Sequence, residues 1–502
     1  MPKVGTNLLA GAEWEYSVDR GETWSKSRPI VRGGEKAAIY VRVSFDVTDP
    51  SSYASLELTH GVPSRTRMLF SLNDQPVLPP VRGMYYKAIP AIPTSLLKAG
   101  TNMLTGKIGF DNRPPTDEPE TRMPDVRVGL APYLFALAPR HLRITSGPVL
   151  GAAEDDHFTV TCRTNMPARV VLYGYDLARK RAGFVAESRT GLAHRFRIPR
   201  AASDPNGLYL LVADNGRGAT AEVIRASDYP KPDEPLRFVA MGDSRTNPDD
   251  WAAVADAVLK TKPQLVVFSG DMVGRGRNDW EWDEQFFAPA KELFMTIPFY
   301  AVIGNHEEDA PVYPELFYTP SPDGRATNWA QEINGVLFIG IDGRQDWSSE
   351  SVGLRTLEEI LKESQAKFIF LFSHYPAWSS SSHGRLREET GLPREAAVRQ
   401  ARQTIVPLLR KYKATAYICG HDHCYERSEL PGGVSHVVSG AAGAPRYQKM
   451  PTAAAQNPYS VTFASKLHYC LFEVNGDTCT MKALAPDGSL IDRRSWDARK
   501  VK

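Results

Sequence analysis

The stretch TAYICGHDHCYER, residues 415–427, joins a short apolar run directly to two histidines and an aspartate. A continuous apolar run of this length indicates a strand that is buried on both faces of a parallel sheet. Ligands of such sheets bind beyond the carboxyl ends of the strands, where loops collect side chains. The stretch therefore predicts a buried strand that presents His421, Asp422 and His423 to a binding site.

Further apolar runs with the same kind of ending occur after residue 235. They lie at 236–241, 264–270, 299–304, 336–342 and 367–373. Helical patterns lie between them, at 250–261, 280–294, 354–361 and 395–412, and Pro407 predicts a kink in the last one. Strands that alternate with helices predict a layered α/β domain over residues 236–498.

Potential metal ligands stand at the ends of almost all these predicted strands. They are Asp243, Asp271, Asn305, His374, His421 and His423. A single histidine is more often structural than ligating, but the repeated coincidence at one edge of the domain favours a metal site. Carboxylates, an amide oxygen and imidazoles suit divalent Mn, Fe, Zn or Ni. Two such ions about 3.5–4 Å apart can hold the attacking and the leaving oxygen of an in-line displacement.

Short motifs around these residues resemble the calcineurin-like metallophosphoesterases. The motifs are GDSR (242–245), GDMVG (270–274), GNHE (304–307), SHYP (373–376) and GHDHCYER (420–427). Their order and spacing are similar to this family over residues 236–498, and GHDHCYER together with WSSSSHG (378–384) is most similar to purple acid phosphatases. The resemblance implies an αββα domain that hydrolyses phosphoesters with two divalent metal ions and a metal-bridging hydroxide.

The resemblance also implies a role for each motif residue. The implied metal ligands are Asp243 and His423 for the first ion, Asn305, His374 and His421 for the second ion, and Asp271 for both. His306 would face the phosphoryl group or the leaving oxygen, and His383 would contact phosphate unless it is an exposed loop residue. Glu307 and Asp422 are expected to hold the ligands in place through hydrogen bonds.

Two positions depart from the pattern of the purple acid phosphatases. Gly274 stands where that family has the tyrosine whose phenolate gives the purple colour, so we expect a colourless protein. Arg245 stands where many calcineurin-like enzymes have a metal-binding histidine. Because a guanidinium cannot ligate a metal, the first ion is expected to bind more weakly. Arg245 could instead contact a substrate phosphate, or hold the Asp243 loop through a salt bridge.

The chain before residue 236 predicts antiparallel β-sandwiches. Its apolar runs are short, rich in Val, Tyr, Phe and Thr, and broken by Gly, Pro, Asn and Asp, and the runs at 158–164 and 168–176 predict two separate strands. We predict one sandwich at 1–139, a second at 140–227 and a linker at 228–235. Segments 71–80 and 95–111 resemble the sugar-binding jelly-roll modules of glycoside hydrolases, which implies a glycan contact unless this sandwich is purely structural. The second sandwich resembles the fibronectin-type module that precedes the catalytic domain in purple acid phosphatases.

The composition is that of an ordinary globular protein. Lys and Arg number 60 and Asp and Glu 58, so the net charge of +2 gives no reason to expect nucleic acid or an anionic membrane as a partner. No apolar stretch is long enough for a transmembrane helix, and no signal peptide is visible. The five cysteines are too scattered for a disulfide framework and are expected to be reduced. Secretion or a periplasmic location is expected only by analogy with the family.

These patterns together predict a phosphoester hydrolase that acts on a small phosphorylated substrate. A phosphomonoesterase is the first expectation, because the most similar motifs belong to acid phosphatases. A phosphodiesterase on the same core is the alternative, since one two-metal core supports several chemistries. A binding protein with a vestigial metal site is the third interpretation, and Arg245 is the best argument for it.

Overall fold

The computed structural model describes most of the chain, which divides into two compact units. The described residues are 7–27, 38–53, 55–60, 66–77, 88–110, 135–139, 141–153, 157–176, 179–199, 207–226, 234–317, 319, 321–322, 324 and 327–500. The units are Met1–His141 and Leu142–Lys502. All five cysteines are described, and each is a buried free thiol, as predicted.

The first unit contains two antiparallel sheets that share one hydrophobic core. Its strands are β1 (Trp14–Ser17), β2 (Ala38–Val47), β3 (Leu56–His60), β4 (Thr66–Leu72), β5 (Gln75–Val77), β6 (Ala88–Ile92), β7 (Gly100–Phe110) and β8 (Phe135–Pro139). The larger sheet has the order β1-β2-β7-β4-β5 and the smaller one β6-β3-β8. Alternate side chains of β2, such as Val41 and Val43, lie in the same core as Leu58 of β3 and Ile92 of β6.

These sheets confirm a mostly-β N-terminal region. Short 3-10 turns at Pro50–Ser52 and Thr94–Leu96 connect its strands. The two segments that resemble sugar-binding modules, 71–80 and 95–111, end at residues outside the described part of the chain. Glycan binding by this unit therefore stays a prediction.

Residues 142–226 form one five-stranded antiparallel sheet, in the order β11-β10-β12-β13 with β9 paired to β10. Its strands are β9 (Ile144–Ala153), β10 (His157–Asp176), β11 (Arg181–Pro199), β12 (Leu208–Asp214) and β13 (Ala219–Arg225). The runs at 158–164 and 168–176, which the sequence suggested as separate strands, are both parts of β10. A bulge between Arg163 and Ala168 absorbs the irregular segment without ending the pairing with β11.

This module differs from the predicted sandwich in one respect. Its described strands form a single sheet around one core, whereas a fibronectin-type module has two packed sheets. Residues 227–233, which hold most of the predicted linker at 228–235, lie outside the described part of the chain.

The remaining strands form two sheets. They are β14 (Leu236–Met241), β15 (Leu265–Phe268), β16 (Phe299–Ala301), β17 (Trp329–Ile333), β18 (Val336–Gly340), β19 (Phe368–Phe372), β20 (Ala416–Cys419), β21 (Tyr425–Glu429), β22 (Ser435–Ser439), β23 (Ser460–Ala464), β24 (Tyr469–Asn475), β25 (Thr478–Leu484) and β26 (Leu490–Asp497). The first sheet has the order β16-β15-β14-β24-β25-β26, and the second has the order β17-β18-β19-β20-β22-β21-β23. Strands β14 to β16 are parallel in one sheet, and β18 to β20 are parallel in the other.

Helices cover the outer faces of these sheets. They are α1 (Pro248–Lys260), α2 (Asp279–Glu281), α3 (Lys291–Thr296), α4 (Val312–Leu316), α5 (Val352–Glu363), α6 (Ala396–Gln400), α7 (Val406–Lys411) and α8 (Ala453–Gln456), with π-helical turns at Trp282–Phe287 and Ala401–Ile405 and a 3-10 turn at Ser382–Gly384. The predicted kink before Pro407 takes the form of the second π-turn. Pro407 itself lies in the first turn of α7, where a missing N–H costs little.

Side chains from the two faces of the strands form three apolar layers, one between the two sheets and one between each sheet and its helices. Phe238, Phe338 and Phe370 point between the two sheets, where the Phe238 ring stacks on Phe472 with centroids 4.4 Å apart. The opposite face of the first sheet packs against α1 and α3, and that of the second sheet packs against α5 and α7. The domain thus has the predicted αββα layers, and the carboxyl ends of its parallel strands open toward the motif loops.

No helix among the described residues is long and apolar enough to span a membrane.

Candidate metal centre

The predicted ligands come together from both sheets. Their ligand atoms form two groups, each within 4.8 Å, and both groups contain Asp271. We call Asp271, His374 and His421, with the adjacent Asn305, the His374 group. We call Asp243, Asp271 and His423 the His423 group. Asp243 and Asp271 follow β14 and β15 of the first sheet, while the histidines follow β19 and β20 of the second, so the centre lies where both sheets end.

The donor atoms of the His374 group lie close together. His374 donates from Nδ1 to the Ser269 carbonyl oxygen at 2.8 Å, so its Nε2 faces the group. That Nε2 lies 3.1 Å from Asn305 Oδ1, 3.3 Å from Asp271 Oδ1 and 3.0 Å from His421 Nδ1. Burial opposes a charge on His374, yet the Asp271 carboxylate raises its pKa to about 9. The group therefore attracts a positive charge, which a bound cation would also supply.

Three of the candidate ligands adopt backbone conformations that L-residues rarely populate. Asp243, Asp271 and His421 have φ angles of 59°, 57° and 69°. A non-glycine residue held in this region costs on the order of 1–3 kcal/mol and persists where the surroundings impose it. Each of them directly follows a glycine that lies one or two residues beyond the end of a strand.

Glycines leave room for the ligand carboxylates. A Cβ on Gly304 would lie 2.4 Å from Asp271 Oδ1, and a Cβ on Gly420 would lie 2.1 Å from Asp243 Oδ2. Both distances are far below van der Waals contact, so any other residue would displace the carboxylate. These glycines belong to the motifs because their neighbours approach so closely.

Glu307 ties two ligand loops together. Its buried carboxylate accepts hydrogen bonds from the backbone N–H groups of Gly304, Asp271 and Met272, at 2.6, 2.9 and 2.7 Å. Asp422 similarly accepts from the Ser382 hydroxyl and from the His383 backbone N–H, both at 3.1 Å. Glu307 thus holds the loop of the candidate ligand Asp271, whereas Asp422 holds the loop that carries His383.

Two further histidines border the centre. His306 donates from Nδ1 to the Gly274 carbonyl oxygen at 2.6 Å, which leaves Nε2 3.9 Å from Asp271 Oδ2. Burial lowers the pKa of His306. The His383 ring lies 3.8 Å from the His421 ring between centroids, and its side chain is only 28% exposed. His383 is therefore part of the centre and not a solvated loop residue.

Glu395 joins this centre although the sequence gave no sign of it. Its Oε2 lies 2.8 Å from His421 Nε2 and its Oε1 lies 2.5 Å from His383 Nδ1. A carboxylate on the far nitrogen of a ligating histidine fixes the ring and raises its basicity. Glu395 precedes α6, 26 residues before His421, with no metal-ligand motif around it. Only the folded chain brings it to the histidines.

Arg245 lies inside the His423 group. Its Nε is 3.2 Å from Asp271 Oδ2, and its Nη2 donates to His423 Nε2 at 3.3 Å. His423 donates from Nδ1 to the Pro445 carbonyl oxygen at 2.7 Å, so Nε2 carries the lone pair that Arg245 meets. Burial and the Arg245 cation lower the pKa of His423 to about 3. Arg245 thus makes a buried salt bridge with Asp271, not with the Asp243 side chain.

The position of the missing tyrosine is also filled. A Cβ on Gly274 would lie 2.8 Å from Glu281 Oε2. Glu281 is held there by the Arg275 backbone N–H at 2.7 Å and by the Asn278 amide at 2.6 Å. The chain therefore lacks both the phenolate and the space for it.

Comparison with known proteins agrees with this fold. The sequence model of the family described as calcineurin-like phosphoesterase matches residues 236–425. This segment runs from β14 to the start of β21 and includes every candidate ligand. The chain therefore contains a calcineurin-like phosphoesterase domain.

Within this class the domain is homologous to purple acid phosphatases. Human tartrate-resistant acid phosphatase type 5 is 26% identical over 254 residues, which are 41% of this chain and 72% of the relative. The Arabidopsis thaliana protein named "Probable inactive purple acid phosphatase 24" is 24% identical over 316 residues, 55% of this chain and 47% of the relative. The structure of purple acid phosphatase PPD1 from yellow lupin (Lupinus luteus) seeds has the same fold, with a TM-score of 0.63 and 15% identity over 93% of this chain and 94% of that one.

The two donor groups differ in how well they fit a metal ion. The His374 group combines a carboxylate, an amide oxygen and two imidazoles, which is a suitable donor set for a divalent transition metal. The His423 group offers two carboxylates and one imidazole, but Arg245 already contacts two of its three donor side chains. The residues present therefore fit an ion at the His374 group and place a fixed cation at the His423 group.

Proposed function

We propose that this chain is a metal-dependent phosphoester hydrolase that prefers small phosphate monoesters as substrates. The His374 group supports this proposal, because its four donors converge at the carboxyl ends of both sheets in a domain homologous to acid phosphatases. A bound divalent ion would lower the pKa of a water molecule and neutralise phosphate charge. We expect direct attack by water on phosphorus, with inversion of configuration and no covalent phosphoenzyme.

The chain's own residues surround the space where a phosphate would bind. His306 keeps Nε2 directed to the centre, where in its protonated form it would give a proton to the leaving oxygen. Burial lowers the pKa of His306, so the protonated form requires more acidic solution than it does for an ordinary imidazole. Arg245 offers a guanidinium that matches phosphate oxygens, and the His383 ring lies 3.8 Å from the His421 ring between centroids.

The test is hydrolysis by protein stripped of metal and then supplied separately with Mn, Fe, Zn or Ni. We expect activity on p-nitrophenyl phosphate to return with at least one metal and to exceed activity on bis-p-nitrophenyl phosphate. Asp271→Asn replaces the carboxylate that both groups share by a neutral amide with a single oxygen, and should abolish the activity. Asp256→Asn, an exposed site on α1, is the matched control and should leave it unchanged.

Other outcomes identify the alternatives. Faster hydrolysis of the diester would make the chain a phosphodiesterase on the same core. Inactivity with every metal and both substrates would favour a binding protein with a vestigial metal centre. The name of the Arabidopsis thaliana relative, which includes the word inactive, is the reason to test this alternative. Secretion and glycan contact by the N-terminal unit stay predictions that these assays do not address.

The protein should also be colourless when loaded with metal. Gly274 provides no phenolate, and Glu281 fills the space beside it. A visible tyrosinate-to-metal absorption band in iron-loaded protein would contradict this arrangement.

A further inference from the structure

Arg245 occupies the centre of the His423 group. The guanidinium lies 3.2 Å from Asp271 Oδ2 through Nε and 3.3 Å from His423 Nε2 through Nη2. The Arg245 side chain is only 18% exposed, and its backbone N–H donates to the Asp271 carbonyl oxygen at 3.4 Å. Both ends of the residue are thus fixed on the same loops that carry the donors.

A metal ion at this position would compete with that guanidinium. An ion bound to Asp271 and His423 lies about 2.0–2.2 Å from their ligand atoms, which are the atoms that Arg245 now contacts. The guanidinium is always charged and has no lone pair to offer, so it would repel the ion and could not bind it. The ion could enter only if Arg245 moved out of a largely buried salt bridge.

The rest of the His423 group gives an ion little help. The third donor, Asp243, already accepts a hydrogen bond from the His421 backbone N–H at 3.0 Å. Gly274 supplies no side chain, and the space next to it is filled by Glu281. An ion there would have at most three protein donors, and would have to displace a cation to reach two of them.

We propose that the Arg245 guanidinium replaces one of the two metal ions, so that the chain binds a single divalent ion at the His374 group. Asp271 then bridges the ion and the guanidinium, where the resemblance implies a bridge between two ions. The guanidinium keeps a positive charge on the phosphate side of the centre without a second metal. This inference rests on the proposed function for its catalytic meaning, but the number of bound ions can be measured without any activity.

The experiment is metal analysis of the full chain, loaded with Mn²⁺ and dialysed. We expect about one equivalent in the unaltered protein, and about two in Arg245→His, which replaces the cation by a possible ligand. The electron paramagnetic resonance spectrum should change from that of an isolated Mn²⁺ ion to that of an exchange-coupled pair. Arg385→His, at an exposed position in the loop before α6, is the matched control and should keep one equivalent.

Each result decides the inference by itself. Two retained equivalents or a coupled spectrum in the unaltered protein would overturn it, even if Arg245→His does not fold. A folded Arg245→His protein that retains only one ion would overturn the claim that the guanidinium excludes the second. A single retained ion without hydrolysis of any phosphoester would refute the proposed function and leave this inference standing. Hydrolysis that requires two bound ions would support the proposed function and overturn this inference.

Discussion

Glu395→Gln removes one charge and changes one atom in a side chain that contacts two histidines of the centre. The carboxylate accepts from His421 Nε2 at 2.8 Å and from His383 Nδ1 at 2.5 Å. A glutamine offers one oxygen acceptor and one NH₂ group in the same space. The NH₂ group faces a ring N–H that also needs an acceptor, so one of the two hydrogen bonds is lost.

The expected magnitude follows from that lost bond. A hydrogen bond to a charged group contributes about 1.5–3 kcal/mol, and the side chain of Glu395 is 33% exposed, which weakens the contact. We therefore take about 1–2 kcal/mol, which corresponds to roughly 5–30-fold in an equilibrium constant. Loss of comparable outer partners of metal ligands costs about 10–100-fold in affinity or activity. Both estimates predict a metal affinity reduced by about tenfold.

The assay is competition for Mn²⁺ or Zn²⁺ with a chelator of known affinity, at constant pH. Glu389→Gln, an exposed residue in the loop before α6, loses the same charge without touching a histidine and should bind metal normally. The thermal unfolding of both metal-free variants shows whether the fold is intact. Unchanged metal affinity in a folded Glu395→Gln protein would refute the idea that Glu395 orients His421.

Three further changes test the core, a partly buried acid and a ligand loop. Phe238→Ala should lower the free energy of unfolding by about 3–5 kcal/mol in denaturant titrations, because the ring is buried between the sheets and stacks on Phe472; a loss below about 1 kcal/mol would contradict this packing. Burial raises the pKa of Asp283 to about 6 from 3.8, so the folded state loses stability as the pH rises through this interval. Asp283→Asn should therefore raise the Tm at pH 7 and not near pH 4, and an equal shift at both pH values would count against the raised pKa. Gly304→Ala should release metal during dialysis, since its Cβ would meet Asp271 Oδ1 at 2.4 Å, whereas Gly218→Ala, which has open space, should not; full metal retention would show that the loop adapts.

The strands and the positions of the candidate ligands could be predicted because their signals are local. Runs such as 236–241 and 367–373 are apolar on both faces, since each strand is covered by the other sheet on one side and by helices on the other. The ligands follow these strands within a few residues. Their convergence is then a consequence of parallel strands that end at one edge.

The contacts that the sequence did not reveal are those between distant loops. Glu395 and Glu281 are ordinary glutamates in sequence, and only the fold places one on His421 and the other beside Gly274. The continuity of β10 was missed for another reason. The segment between its two apolar runs interrupts the alternation, but bulges keep its pairing with β11.

The charge of the centre connects its strained backbone to the role of Arg245. Asp243 and Asp271 are both almost completely buried and both have left-handed φ angles. Bringing these two carboxylates together therefore lowers the stability of the folded state. Two buried carboxylates this close need positive charge nearby. In the described structure Arg245 forms its salt bridge with Asp271, while burial raises the pKa of Asp243 well above its ordinary value although His374 and Arg245 act against this shift. One divalent ion at the His374 group would neutralise the remaining negative charge of the two carboxylates from the other side of Asp271. A second ion would then add positive charge where the chain already provides it.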